Sequence, residues 1–179
     1  MPLQSGARLG PYEVYALLGS GGMGEVYKAR DLRLGRSVAL KVIHPHVAQE
    51  PALRERFERE AQATARLRSP NTVALYDFGQ SRDGTIYYVM ELLDGMDLQT
   101  LVDRFGPMHA GRVVNVLTQA CESLEEAHRA GLVHRDIKPK NILLCRLGLQ
   151  HDFVKVLDFG LVKMDRREEN TALTLDGVT

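Results

Sequence analysis

Hydrophobic and polar residues alternate in short runs over the first 43 residues and again between residues 72 and 90. A period of two, with β-branched and aromatic residues between glycine-containing turns, is typical of strands. The short turns between neighbouring runs favour an antiparallel meander. The predicted strands are Tyr12–Leu18, Glu25–Ala29, Ser37–Ile43, Thr72–Phe78 and Thr85–Met90.

The pattern changes to a helical period between these two groups of strands. Five residues spaced by four, three, four and three positions fall on one helical face, and they predict a helix that packs against the sheet. Glu60 lies on this inward face, which is unusual for a carboxylate. The five residues are Leu53, Phe57, Glu60, Thr64 and Leu67.

A second helical pattern follows residue 95 and is predicted to end at Gly131. Two short apolar runs after it, Ile142–Cys145 and Phe153–Leu157, predict a hairpin. The stretch Glu91–Gly95 is the predicted boundary between the sheet-rich and helix-rich parts. The inward residues of the second helix are expected to be Val113, Leu117, Ala120 or Cys121, Leu124, and Ala127 or His128.

Composition narrows the class of protein. The 179 residues are 44% hydrophobic and 26% charged, as in a globular chain. Its 23 basic and 23 acidic residues balance, so no single-sign field points to nucleic acid or an anionic membrane. No apolar run of membrane-spanning length occurs, and we expect no membrane contact within this segment. Cys121 and Cys145 are expected to be small buried thiols in a reducing cytosol.

The first motif is glycine-rich. Gly19, Gly21 and Gly24, followed by Val26, fit G-x-G-x-x-G-x-V, in which backbone amides can lie close over phosphates. An ordinary tight turn is an equal alternative when the motif is taken alone. The residues after Gly24 continue as a strand rather than a helix, which argues against a Rossmann turn and favours a hairpin lid.

Lys41 ends the run Val38-Ala39-Leu40-Lys41, and the strand period places Ala39 and Lys41 on the same face. A small residue beside a cation could leave room for a flat base while the ammonium reaches phosphates. The alternative is a solvated strand lysine. That alternative does not explain the inward Glu60, so we predict an ion pair between Lys41 and Glu60.

The third group lies near the end of the chain, in the order H-R-D-x-x-x-x-N and then D-F-G. Asp136 can accept or orient the proton of an attacking hydroxyl, and Lys138 can neutralise charge on a phosphoryl group. Asn141 and Asp158 offer oxygen ligands of the kind that Mg²⁺ prefers. Together these residues predict phosphoryl transfer.

With these motifs in order, the chain resembles the protein kinase superfamily, and in particular the eukaryotic-like serine/threonine kinases of bacteria. The resemblance runs from about Leu9 to Gly160. It implies an α+β, bilobal fold: a lead-in over residues 1–11, a five-stranded antiparallel N-lobe with one helix over 12–95, and a partial, mainly helical C-lobe over 96–179. The hinge would lie at Glu91–Leu93, after a gatekeeper-like Met90.

The resemblance also implies the ligands, which are ATP and Mg²⁺, and a protein Ser or Thr as substrate. Asp136, Lys138, Lys41 and Glu60 would be catalytic, and Asn141 and Asp158 would bind the metal. His134 and Phe159 would stack on each other. The ATP-binding residues would be Leu18, Gly19, Ser20, Gly21, Gly22, Met23, Gly24, Val26, Ala39, Lys41, Glu91, Leu93, Asp97 and Leu143.

Regulation is a further implication. Arg135 resembles the arginine that binds an activation-loop phosphate, and Thr171 and Thr174 lie in the matching region, with Thr174 as the predicted autophosphorylation site. Self-association would serve such autophosphorylation. The expected location is the cytoplasm, either as a free protein or as the cytosolic domain of a larger membrane-anchored kinase. No Ala-Pro-Glu occurs before Thr179, so the later C-lobe helices are expected to be missing. The alternatives are an inactive or truncated nucleotide-binding module and a small-molecule kinase.

Overall fold

The computed structural model describes residues 2–22, 24–44, 51–81 and 83–159. Its larger sheet contains all five predicted strands, in the spatial order β1-β2-β3-β4-β6-β5, with every pairing antiparallel. Most strands extend one to three residues beyond their predicted ends. The strands are β1 (Arg8–Leu9), β2 (Tyr12–Gly21), β3 (Gly24–Asp31), β4 (Arg36–Ile43), β5 (Leu75–Gln80) and β6 (Ile86–Glu91).

The predicted count of five strands is wrong by one. β1 pairs Arg8 with Glu13 and Leu9 with Tyr12, so part of the lead-in belongs to the sheet. Leu9 is buried in the same apolar cluster as Tyr12. A two-residue strand is too short to show a period, which is why the hydrophobic pattern did not predict it.

The two faces of β4 separate as the alternation predicted. Val38 and Leu40 are fully buried in one cluster with Tyr12, Tyr27 and Val89. Ala39 faces a different cluster, which includes Val73 and Met90. The strand therefore presents Ala39 and Lys41 toward the opposite side from the main core of the sheet.

The helix predicted around Glu60 is present as α1 (Pro51–Thr64). Ala61 packs with residues of β4 and β6, which places the helix against the sheet. The side chains of Leu53 and Phe57 lie outside the described residues. Leu67 was predicted to continue the helix but lies beyond its end. It packs against a second apolar core, which includes Leu101, Val116 and Phe159.

The second part of the molecule is a small sheet with two helices. Its elements are β7 (Gly95–Asp97), α2 (Leu98–Phe105), α3 (Ala110–Arg129), β8 (Ile142–Leu147) and β9 (Gln150–Val156), in the sheet order β7-β8-β9. Because β7 pairs with β8, Gly95 belongs structurally to this second part. Among the described residues, no helix is long and apolar enough to span a membrane.

The inward row of α3 is shifted from the prediction by one residue in part of the helix. The buried residues are Val116, Ala120, Ser123 and Ala127, whereas Leu117 is 50% exposed. A polar residue occupies one buried position: the Ser123 hydroxyl lies 2.6 Å from that of Thr72. The prediction is confirmed at Ala120 and Ala127 and is wrong at Leu117.

The two cysteines differ in their surroundings. Both are free thiols, as expected, and Cys145 is buried. Cys121 was predicted to be buried but is exposed, because it lies on the outer face of α3.

The two parts are joined through the segment between α1 and β5. The carboxylate of Glu126 on α3 accepts hydrogen bonds from the backbone N–H groups of Arg68 at 2.7 Å and Ser69 at 2.6 Å. Val73 N–H donates to the carbonyl of Val156 at 3.0 Å. These contacts seat the end of α1 on the second part, close to the predicted catalytic residues.

Candidate active site

Asp136 lies in an irregular segment between α3 and β8, and its carboxylate is held by two other predicted residues. Lys138 Nζ is 2.6 Å from Asp136 Oδ2. Asn141 Nδ2 donates to the same oxygen at 3.2 Å and to the Asp136 carbonyl at 2.8 Å. The structure thus brings together Asp136 and Asn141 of the H-R-D-x-x-x-x-N motif and the predicted cation Lys138.

His134 connects this segment to the strand that leads into Asp158. The ring is 2% exposed, its Nε2 donates to the Leu157 carbonyl at 2.8 Å, and its Nδ1 accepts from Asp136 N–H at 3.3 Å. Burial lowers the pKa of His134, so the ring is held in the neutral form that can both donate and accept. Its centroid lies 4.8 Å from that of Phe159, which confirms the predicted ring contact in a tilted geometry.

Lys41 is buried in the cleft between the two parts, and its ammonium pairs with Asp158. The Nζ to Oδ1 distance is 2.7 Å, and the two side chains are 6% and 33% exposed. The buried position excludes the alternative of a solvated strand lysine, because burying a charge is costly unless it is paired.

Among the described residues, Lys41 and Glu60 do not form the predicted ion pair with each other. Each pairs with a different residue. Lys41 pairs with Asp158, and Glu60 Oε1 lies 3.8 Å from Arg135 Nη1. Helical spacing correctly predicted that Glu60 faces inward, where its side chain is 15% exposed. Spacing does not give the distance between a helix and the sheet, which decides which cation is closest.

Two residues of this cluster adopt positive φ angles. Arg135 has φ 62° and Asp158 has φ 56°, a left-handed conformation that few residues other than glycine adopt. Such strain costs of the order of 1 kcal/mol and concentrates at functional sites. The same two residues form the ion pairs with Glu60 and Lys41.

The glycine-rich segment forms the predicted hairpin. The last residue of β2, Gly21, pairs with the first residue of β3, Gly24. A Cβ at Gly24 would lie 2.0 Å from the Val42 carbonyl oxygen, so only glycine allows β3 to approach β4 so closely. Apart from the adjacent residues in the chain, no described atom lies within 4 Å of a Cβ built at Gly19, Gly21 or Gly22. Met23 lies outside the described residues.

The predicted adenine-binding residues fall into two groups. Val26 and Ala39 lie in one apolar cluster with Met90 and Leu93, on the cleft side of the sheet.

The other predicted residues lie outside this cluster. Leu18 is 53% exposed, and Leu143 lies on β8 opposite Asp97. The Asp97 carboxylate caps α2, accepting hydrogen bonds from the Thr100 N–H at 2.9 Å and hydroxyl at 2.7 Å.

The family profile described as "Protein kinase domain" matches residues 12–177. The chain belongs to the protein kinase family. It is 44% identical over 167 residues to the serine/threonine-protein kinase pkn3 of Myxococcus xanthus, covering 93% of this chain and 30% of that protein. It is 40% identical over 168 residues to PknH of Mycobacterium bovis, covering 94% of this chain and 27% of that protein.

Solved kinase structures share the fold. The crystal structure of the Mycobacterium tuberculosis PknI kinase domain matches with a TM-score of 0.79 and 35% identity, covering 90% of this chain and 64% of that one. The fold is therefore the bilobal protein kinase fold, of which this chain has the sheet-rich N-lobe and part of the C-lobe. The chain spans less than a third of the length of the curated relatives named above.

The two side chains predicted to bind a metal, Asn141 and Asp158, have the donor atoms that suit a magnesium ion. Both hydrogen bonds that the Asn141 carboxamide gives to Asp136 run through its nitrogen, which leaves its oxygen as the atom suited to a cation. Asp158 adds a carboxylate. Within the described ranges, no three His, Cys, Asp or Glu side chains converge as a metal site. One carboxylate and one amide suit Mg²⁺, which keeps water and phosphate ligands.

The sequence reasoning missed Lys155 and helix α2. Lys155 Nζ lies 2.6 Å from Glu91 Oε1, at the predicted hinge. The signal for α2 was present: Asp97 is a good N-cap, and Leu98, Leu101 and Phe105 follow with helical spacing. Nothing in the local pattern around Lys155 predicted a partner 64 residues away.

Proposed function

We propose that this chain binds Mg·ATP and transfers the γ-phosphoryl group to Ser or Thr hydroxyls of proteins. The arrangement around Asp136 carries the proposal: its carboxylate is oriented by Lys138 and Asn141. His134 donates to the carbonyl of Leu157, the residue before Asp158, and Asp158 pairs with Lys41. The side chains proposed as the base, the cation and the metal ligands lie around one cleft, which supports the proposal.

Each side chain has a role that follows from its surroundings. Asp136 accepts or orients the proton of the attacking hydroxyl, and the ammonium of Lys138 neutralises charge on the phosphoryl group during transfer. Lys41 reaches the α- and β-phosphates from the sheet side of the cleft. When bound, Mg²⁺ neutralises phosphate charge and is held by Asn141 and Asp158.

The adenine would occupy the apolar side of the same cleft. Val26, Ala39 and Leu93 already share one cluster there, and the backbone of Glu91 and Leu93 would bind the edge of the base. Leu18 and Leu143 would close over it, and Gly19 to Gly24 would cover the phosphates. Asp97 would contact the ribose from its position at the start of α2.

Arg135 supports a proposal for regulation. It is 44% exposed and lies 3.8 Å from Glu60, a weak ion pair that a phosphate could displace. Phosphate binds arginine with two charge-assisted hydrogen bonds. A phosphate on Thr174 or Thr171 would therefore pair with Arg135, and Glu60 would then pair with Lys41. Both threonines lie outside the described residues. Peptide mapping after incubation with ATP tests this, and phosphate found only at other residues would refute it.

Several broader properties belong to the same proposal. The expected location is the cytoplasm, where ATP and protein substrates are available. Self-association of two copies would allow one chain to phosphorylate the other, which sedimentation at several protein concentrations would detect.

The test compares Asp136→Asn with Asp103→Asn in the complete chain. Asp103 is an exposed residue of α2 that accepts a hydrogen bond from Gln99 and lies outside the cleft, so it is a matched control. Transfer of radiolabelled phosphate from ATP to an acceptor protein should fall at least about a hundredfold in Asp136→Asn and stay unchanged in the control. Equal transfer by the two variants would contradict the assignment of Asp136.

A nucleotide-binding module without turnover is the second candidate function. The observation that favours it is that, among the described residues, Lys41 pairs with Asp158 and Glu60 with Arg135 rather than with each other. A thermal shift with Mg·ATP combined with no phosphate transfer would support this candidate. Measurable transfer that depends on Asp136 would exclude it.

A further inference from the structure

A partly buried ion pair lies at the hinge, away from the residues that would touch phosphate. Lys155 Nζ is 2.6 Å from Glu91 Oε1, and the two side chains are 13% and 20% exposed. The ion pair between Arg129 and Glu125 on α3 is similar in length at 2.5 Å, but its side chains are 78% and 63% exposed. The hinge pair is therefore shielded from water, whereas the α3 pair is not.

The same two atoms join three separate segments of the chain. Glu91 Oε1 also accepts a hydrogen bond from the Ala74 N–H at 2.7 Å, and Lys155 Nζ also donates to the Thr72 carbonyl at 3.3 Å. The Glu91 N–H in turn donates to the Ala74 carbonyl at 3.0 Å. These contacts connect three segments at one point: the end of β6, the segment before β5 and the middle of β9.

This point lies between the two predicted walls of the adenine site. Glu91 is the first residue of the hinge, and its backbone is the group proposed to bind the edge of the base. Lys155 is directly opposite Leu143 in the β8–β9 pairing, so both side chains are on the same face of that sheet. The ion pair therefore links the hinge backbone to the strand pair that carries Leu143.

The burial of the pair makes it sensitive to the loss of either partner. A shielded charge that loses its counter-charge must regain solvent or move, and here either movement would shift the hinge peptide. An exposed pair such as Arg129–Glu125 can lose one member with little consequence. The effect of breaking the hinge pair should therefore appear in how the base is bound.

We propose that Lys155 is a positioning residue for the adenine base: through its ion pair with Glu91, it fixes the hinge peptide groups at the place where they meet the edge of the base. The role rests on the proposed function, since it assumes that the cleft binds ATP. It adds a residue that does not touch the nucleotide yet controls how strongly the base contributes to binding.

The test measures the dissociation constants of three ligands for the complete chain: Mg·ATP, adenosine, and Mg·triphosphate, which has no base. The variants are Lys155→Met and Glu91→Gln. Each should weaken Mg·ATP and adenosine by about tenfold and leave Mg·triphosphate within about twofold of the wild type. Lys155→Arg, which keeps the charge, should restore most of the affinity for adenosine.

Two controls separate positioning from a general loss of structure. Arg129→Met breaks the exposed pair and should change none of the three constants. Glu91→Gln keeps the side-chain oxygen that accepts from Ala74, so it tests the charge with the smallest change in shape. Far-UV circular dichroism should show the same folded signal for every variant at the temperature of the binding experiment.

The outcomes distinguish the two proposals. A wild-type chain that binds neither ATP nor adenosine would overturn the proposed function and the positioning role together. A wild-type chain that binds ATP, with hinge variants that bind adenosine equally well, would overturn the positioning role alone. The same conclusion would follow if Lys155→Met weakened triphosphate as much as adenosine, because the effect would then be a general loss of structure.

Discussion

The N-lobe sheet and helix α3 bury their apolar residues to very different extents. Tyr27, Leu40 and Val89 are fully buried within the sheet lobe. In α3, Val116 is 1% exposed, but its neighbour Leu117 is 50% exposed and Val114 is 64% exposed. Within the described residues, the apolar side chains of the sheet lobe form a closed core. Helix α3 is packed against other residues on one face only. The segment with the predicted catalytic residues follows α3, so its position depends on the less completely packed region.

The largest effect that this comparison predicts is the loss of a buried side chain from the sheet. Leu40→Ala should lower the free energy of unfolding by about 3 kcal/mol, because it removes a fully buried leucine and leaves a cavity. Urea unfolding at about 25 °C, followed by circular dichroism, measures it. Leu34→Ala is the control: Leu34 is 66% exposed, and its removal should cost less than about 0.5 kcal/mol. Equal losses would mean that the sheet lobe does not unfold as a unit with its own core.

The sheet could be predicted from the sequence because its strands are local patterns. Alternation gave all five principal strands and assigned Ala39 and Lys41 to the cleft face, where Ala39 and a buried Lys41 are found. Helical spacing likewise placed Glu60 inward. These properties depend on residues that are close together along the chain.

The partners of the charged residues could not be predicted in the same way. The Lys41–Asp158 and Lys155–Glu91 pairs join residues far apart in sequence, and a pattern on one element does not give its distance from another. The inward row of α3 was predicted only in part, because Ser123, a polar residue, occupies a buried position next to Thr72. The positive φ angles of Arg135 and Asp158 also carried no sequence signal.

The second prediction compares two neighbouring residues of α3. Val116→Ala should lower the free energy of unfolding by about 2 kcal/mol, because Val116 is buried against the second core. Leu117→Ala removes more atoms but should cost less than about 0.5 kcal/mol, because half of that side chain is already exposed to water. Urea unfolding measures both variants. A larger cost for Leu117→Ala that grows with protein concentration would show that a second copy covers this face.

The third prediction concerns acid and the histidine of the catalytic segment. Burial lowers the pKa of His134 in the folded state, so the unfolded chain binds more protons as the pH falls below about 6.5. Stability should therefore decrease on acidification, by at most about 1.4 kcal/mol per pH unit from this group. Protonation would also remove the acceptor that Nδ1 offers to the Asp136 N–H.

Urea unfolding between about pH 7.5 and about pH 5 tests this for the wild type, His134→Gln and His128→Gln. His128 is an exposed residue of α3 and serves as the control. His134→Gln should reduce the dependence of stability on pH, whatever its effect on stability at the upper pH, and His128→Gln should keep the wild-type dependence. An unchanged slope in His134→Gln would mean that the ring does not stay neutral in the folded chain.

The smallest expected effect is that of the ion pair at the start of α3. Arg112 Nε and Nη2 each lie 2.7 Å from a carboxylate oxygen of Asp152, and the side chains are 41% and 27% exposed. Because solvent screens the pair, Arg112→Ala should lower the free energy of unfolding by only about 0.5 kcal/mol at low salt, and by less in about 1 M salt.

The hydrogen bonds from Arg112 lower the pKa of the Asp152 carboxyl, so the unfolded carboxyl binds a proton more readily than the folded one. The contribution of the pair is therefore present at about pH 7, above the ordinary pKa of an aspartate, and is lost as the pH falls through the lower folded value. The difference between wild type and Arg112→Ala should shrink from about pH 7 to about pH 3. Arg129→Ala, at the more exposed pair with Glu125, should change stability less at both pH values. Arg112→Ala could instead lower the free energy of unfolding as much as Val116→Ala does, at every salt concentration and pH. That result would show that the ion pair stabilises α3 as strongly as its buried apolar residues do.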